Sequence, residues 1–360
     1  MTRKVVCLAL ALALLLAAFP ATSVDAARGE PGNPEFGYGI TLSAVGPLAN
    51  NANFSTFQNY AQQLKPDWVA VDFDWSAIQP DARLPLDLKS MDALMNLAAD
   101  NQLPVLLRLV NAPPWAQTAY GPKPQLTEAL ICELYARYPA ALQAIEVFPG
   151  ANTLAGWGAL PDPAAYTHLF SSLSQNISQP TEGKLILVAA GLQITDPANR
   201  HPLDADALDF LTGLYQSGIQ AYMPVLSLQY QSIAGEPLDP VQSGQTTLRD
   251  YEEVRRIMLA HDHSSGLLWI TRLSAPVSAA DPITWIETAC ELLRSQLYMG
   301  AVFIDIPSTA ASQAGFNGAL IYNLSHADKL IQVLHQFIFK NAPEEWLPPA
   351  VPQVSVQMEG

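Results

Sequence analysis

The sequence predicts a single (β/α)8 barrel, an α/β fold of the TIM-barrel class. Three observations predict it. Short apolar runs rich in β-branched residues recur along the chain, as strands buried on both faces do. Amphipathic helical patterns fall between them. No glycine-rich phosphate loop follows the first run, which weakens the alternative of an open doubly wound sheet. With 360 residues, 49% hydrophobic and 14% charged, the chain can bury a large core and does not have a disordered composition.

Taken in order, the expected strands are Phe36–Thr41, Trp68–Asp74, Val105–Leu109, Ala144–Val147, Leu185–Ala190, Met223–Leu228, Leu267–Thr271 and Ala301–Ile306. The clearest helical stripe is Met91, Leu94, Met95 and Ala98, at the three- and four-residue spacing that lines one helix face. Val254, Ile257 and Met258 form a second stripe. Trp285, Ile286, Ala289, Leu292 and Leu293 form a third, and Leu330, Ile331, Val333, Leu334, Phe337 and Ile338 a last one. Eight strand–helix units over roughly 300 residues fit the barrel.

The flanks read differently. Residues 1–26 pattern as a secretory signal: Thr2-Arg3-Lys4 is basic, Val5 to Phe19 is apolar but short for a bilayer, and Val24-Asp25-Ala26 ends in a cleavage pattern. Residues 27–35 form a polar Pro/Gly leader, 36–340 the barrel, and 341–360 a proline-rich tail. The expectation is an exported chain, with no membrane contact once the signal is removed. A net charge of −15 without basic clusters argues against nucleic acid. Nothing signals a metal or organic cofactor, and nothing sets the oligomeric state.

Cys132 and Cys290 fall on helices nearly across the barrel from each other. They are expected as separate buried thiols, because a disulfide needs Cα atoms within about 7 Å. His261-Asp262-His263 precedes the seventh strand, on the face that carries stability rather than catalysis, and reads as a solvated turn. His168, His326 and His335 read as structural or solvent-facing. Three Asn-x-Ser sequons begin at Asn53, Asn176 and Asn323. No Gly-x-Ser-x-Gly nucleophile elbow is present.

An ordered set of fragments then narrows the reading. Trp68-Val69-Ala70-Val71-Asp72-Phe73-Asp74-Trp75 is followed by Ala112-Pro113-Pro114-Trp115-Ala116, Ile145-Glu146-Val147, Trp157, Pro161-Asp162-Pro163-Ala164-Ala165-Tyr166 and Leu268-Trp269-Ile270-Thr271. In order and spacing this resembles the retaining glycoside hydrolases of the cellulase/β-xylosidase type. The resemblance implies an active site at the carboxyl ends of the strands, with a glutamate acid/base after the fourth and a glutamate nucleophile ending the seventh. Retaining chemistry places two carboxyl groups about 5–5.5 Å apart, one held protonated and one ionised.

At the matching positions this chain has Pro149-Gly150 and Arg272 instead. Gly150 has no proton to give. Arg272 is permanently cationic and cannot attack carbon. Ala70, Leu228 and Ile304 replace an arginine, a histidine and an aromatic residue common in the family. All five departures are expected on the catalytic face.

Other carboxylates could take over: Asp74, Glu146 and Asp305. The competing reading makes Asp72 and Glu146 structural, with Arg108 and Arg272 as partners, since buried carboxylates are normally paired. Arg272 is expected to pair with Asp74, Glu146 or Asp305 inside the old cleft. Candidate substrate contacts are Trp115, Asn152, Trp157 and Tyr230, with Trp157 expected on the cleft wall and Trp75 and Trp269 in the core. Two functions stay open. One is an exported, catalytically silent or impaired barrel that binds an oligo- or polysaccharide or serves as an interaction module. The other is an active glycoside hydrolase using Asp74, Glu146 or Asp305.

Overall fold

The structure is a computed structural model and describes residues 36–42, 66–177, 185–230, 233–276 and 278–306. Eight parallel strands close into a barrel: β1 (Gly37–Leu42), β2 (Trp68–Asp74), β3 (Val105–Val110), β4 (Leu142–Val147), β5 (Ile186–Ile194), β6 (Val225–Tyr230), β7 (Leu267–Leu273) and β8 (Met299–Ile306). Each pairs with its neighbour in sequence, and β8 returns to β1. All eight runs read from the sequence form strands. Their ends differ most at β5, which continues past Ala190 to Ile194 through a break in its register with β6.

Six long helices are described: α1 (Lys89–Asp100), α2 (Pro124–Arg137), α3 (Pro163–Ile177), α4 (Ala207–Gln216), α5 (Tyr251–Ala260) and α6 (Pro282–Arg294). Proline opens α2 and α6, where its missing N–H costs no helix bond. Asp206 and Asp281 accept backbone N–H bonds at the starts of α4 and α6. The stripe Met91, Leu94, Met95 and Ala98 is wholly buried, as its spacing demands. The stripe from Leu330 to Ile338, the signal-like segment, the leader, the tail, and His326 and His335 lie outside the described residues. So do the sequon at Asn323, all of that at Asn53, and the last residue of that at Asn176.

Two layers of core follow from the two-residue period of a strand. One face of each strand packs under the helices. The other fills the barrel, where Ala70, Leu106, Ala144, Val188, Val225, Trp269, Ala301 and Phe303 interdigitate. Gly39 has no Cβ because the Phe303 ring occupies that space. Trp75 and Trp269 are core, as expected.

The layers correct part of the sequence reading. Leu228 and Ile304 belong to the helix-facing core, not the catalytic face. Ala70 lies inside the barrel, in the apolar layer with Leu106 and Ala144. Three of the five departures therefore leave the barrel mouth untouched. Cys290 is buried but Cys132 is exposed on α2, and both are free thiols. The histidine turn is solvated only in part. His263 is buried, its Nδ1 lies 2.8 Å from the Tyr215 hydroxyl, and burial lowers its pKa. Among the described residues, no helix is long and apolar enough to cross a membrane, and no three His, Cys, Asp or Glu side chains are placed to hold a metal ion.

Candidate active site

Above the apolar layer the barrel turns polar. Register alone sets three of the groups side by side: Asp72 on β2 pairs with Arg108 on β3, and Arg108 with Glu146 on β4. Arg108 is almost completely buried. Its Nε donates to Asp72 Oδ1 at 2.6 Å and its Nη1 to the Thr271 carbonyl at 3.1 Å. Glu146 has no exposure at all. Thr271 Oγ1 donates to its Oε1 at 2.6 Å, while its Oε2 has no hydrogen-bond partner among the described residues. Burial raises the Glu146 pKa, and the nearby Arg108 charge and the Thr271 hydrogen bond only partly offset this.

Arg272 reaches this layer through a bulge. Simple alternation would aim Thr271 and Arg272 to opposite faces. However, β7 carries one extra residue here: Leu228 and Gln229 of β6 pair with Ile270 and Arg272, and Val302 and Ile304 of β8 pair with Ile270 and Leu273. A bulge re-aims side chains in this way. Thr271 turns to Glu146 and Arg272 to the barrel mouth, where its Nε lies 3.1 Å from Asp305 Oδ2 and its Nη2 3.8 Å from Asp72 Oδ2. Asp305 is the main reason that the guanidinium holds its proton more tightly than usual. The expected pairing of Arg272 with Asp305 is present. Asp72 joins it, so two arginines and two aspartates form one cluster of charge, Arg108–Asp72–Arg272–Asp305, with Glu146 beside it.

The fourth-strand end is equally committed. Gly150 adopts φ +79°, its N–H donates to the Gly191 carbonyl at 2.7 Å, and a Cβ there would lie 3.0 Å from Gln193 Nε2. Opposite it, Ala190 and Gly191 both take positive φ in the β5 bulge. Two hydroxyls pin that bulge. Tyr166 donates to the Val147 carbonyl and accepts from Ala190 N–H, and Ser227 donates to the Ala189 carbonyl and accepts from Gly191 N–H. A side chain at 150 must enter the left-handed region, at about 1–2 kcal/mol. Gly150→Glu and Gly150→Ala are therefore expected to lose similar stability, of that size, in denaturant titrations. A Glu variant as stable as the parent would show that the turn accepts an acid.

The remaining candidates are placed as follows. Asp74 accepts from Ala77 N–H and from Asn111 Nδ2, so it caps the turn after β2. Asn152 spends its whole amide on backbone: Oδ1 accepts from Gln193 N–H, and Nδ2 donates to the Gln193 and Ala205 carbonyls. Trp157 is 1% exposed, between Phe148 and Tyr166, with its indole N–H on the Tyr120 carbonyl; it is core rather than a cleft wall. Tyr230 is buried and donates to the Leu248 carbonyl. Trp115 alone of the four is only partly buried, edge-on to Trp75. Sequence reasoning missed Ser227 and Tyr166 as supports of this face. The signal for Ser227 was a hydroxyl in a mainly apolar strand, and for Tyr166 its place at the end of a fragment that resembles the family.

The barrel fold matches solved glycoside hydrolase structures. A monomeric β-xylosidase from Caulobacter crescentus CB15 superposes with a TM-score of 0.53 at 17% identity over 77% of this chain and 61% of its own. A GH30 endoxylanase from Clostridium papyrosolvens C71 gives 0.52 at 14% over 86% and 73%. The β-glycosidase BGL167 gives 0.57 at 11% over 89% and 100%. The chain shares its fold with these enzymes. It spans about three fifths of the length of the Caulobacter β-xylosidase. No family profile matches the sequence, and no curated protein sequence does.

Proposed function

We propose that this is an exported glycoside-hydrolase-like barrel that has lost hydrolytic chemistry and binds carbohydrate at its carboxyl-end face. The observation that carries the reading is Arg272. The bulge aims a permanent cation at the mouth, where the resemblance puts a nucleophile, and Asp305 and Asp72 hold it there. An oxocarbenium-like transition state next to that guanidinium would meet repulsion instead of a nucleophile. Gly150 supplies no acid.

The alternative carboxylates support hydrolysis poorly. Asp74 is spent on a helix cap and Asp305 on Arg272, while Glu146 is sealed from solvent. Export rests on the signal-like segment, and carbohydrate as ligand rests on the fold shared with sugar-cleaving enzymes. The test is a panel of aryl β-glycosides together with a glycan array. The expected outcome is glycan binding with no turnover above buffer. Turnover in the ordinary enzymatic range of about 1–1000 per second on any of these substrates would overturn it.

A further inference from the structure

A cavity of about 180 Å³ opens between the loops that follow β4, β5 and β6. It contains none of the charged-cluster residues. Its walls include Gln193, Ile194 and Thr195 at the end of β5, with Val241 and Gln245 from the loop after β6. On the scale of about 10–15 Å³ per water position it holds on the order of ten waters, the bulk of one sugar-sized ring.

The lining also contains carboxylates, but they are already occupied. Asp204 accepts from Leu154 N–H, Asp206 caps α4 and pairs with Arg200, Asp250 holds Thr247, and Glu253 pairs with Arg256. They build the wall, and a bare cation would have to break these contacts to be bound. The groups left over are neutral. The carboxamides of Gln193 and Gln245 and the hydroxyl of Thr195 make no hydrogen bond to any described residue, and each can both donate and accept. Ile194, Pro197 and Val241 add apolar surface. Free amides beside an apolar wall suit a ring with a C–H face and hydroxyl edges.

We propose that this cavity is the carbohydrate site and takes a single pyranose unit, apart from the strand ends where Arg272, Asp305 and Asp72 pair with one another. The inference rests on the carbohydrate-binding reading above and adds the place and the size of the ligand. It also gives Gln193 a role. The carboxamide next to Gly150 faces the ligand from the space that a side chain at 150 would enter.

The test titrates the full chain with methyl β-D-glucopyranoside, methyl β-D-xylopyranoside and methyl α-D-mannopyranoside by ligand-observed NMR. Two variants accompany it: Gln193→Ala, which removes the free amide, and Thr195→Trp, which fills the cavity. The expected result is binding by the parent that weakens at least tenfold in both variants, with unchanged unfolding midpoints. Parent binding that both variants retain would overturn the cavity assignment and leave the carbohydrate reading standing. So would binding of longer oligosaccharides that neither variant weakens. A parent that binds no carbohydrate on the array or by NMR would overturn both.

Discussion

Arg272→Glu is expected to unfold at a much lower denaturant concentration than the parent and to gain no glycosidase activity. The substitution looks like a restoration of the nucleophile, but the surroundings have been rebuilt for a cation. Removing one partner of a buried ion pair costs about 3–5 kcal/mol, because the other charge is stranded. Here Asp305 would be stranded, and Asp72 would keep only Arg108. The new carboxylate would then join Asp72 and Asp305 in one partly buried layer, which adds like-charge repulsion to the lost attraction. A total stability of about 5–15 kcal/mol leaves little room for that loss. Two companions apportion the effect. Arg272→Met alone should cost nearly as much, and Arg272→Met with Asp305→Leu should recover a large part, because charge and counter-charge leave together. An Arg272→Glu protein as stable as its parent would mean that the charged cluster does not hold the mouth together.

This also separates what was legible in the sequence from what was not. The strands were readable because each is a mainly apolar run broken by at most one or two polar residues, and the helices because Met91, Leu94, Met95 and Ala98 repeat at helical spacing. The pairing of Arg272 with an acid was readable from chemistry: a cation on a buried strand must find one. The geometry that delivers it was not. Period-two alternation would have turned Arg272 away from the barrel, and only the extra residue in β7 brings it in. A bulge has no fixed residue signature, so the break in pairing appears only in three dimensions. The same limit explains Trp157. Gly156 and Gly158 flank it, a pattern common in open loops, yet Gly156 is needed because a Cβ there would lie 2.4 Å from the Gly150 carbonyl. The glycines mark close packing, and the indole between them is buried for the same reason. Leu228 and Ile304 were assigned to the mouth by matching positions; strand alternation would have assigned them to the helix side.

Glu146 offers the second large effect, and one that separates charge from packing. Glu146→Ala is expected to destabilise the protein by about 2–4 kcal/mol. It leaves the Thr271 hydroxyl with only the distant Leu228 carbonyl, at 3.5 Å, as acceptor in a dry site, at about 1–3 kcal/mol, and opens a hole in the polar layer. Glu146→Gln keeps an oxygen for Thr271 and the same volume, and is expected to cost no more than about 1 kcal/mol. The two should differ in pH dependence as well. Burial raises the folded-state pKa of Glu146 above its ordinary value of 4.5. Over the window from 4.5 up to that raised value, the folded protein holds a proton that the unfolded chain has released. The stabilising contribution is therefore complete below about pH 4.5 and is lost as pH rises through the folded value. Glu146→Gln cannot titrate, so its stability should fall less than the parent's as pH is raised across that window. Chemical denaturation of both proteins at a series of pH values reads the difference directly. Identical slopes would mean that Glu146 is ionised in the fold, with Arg108 and Thr271 outweighing its burial.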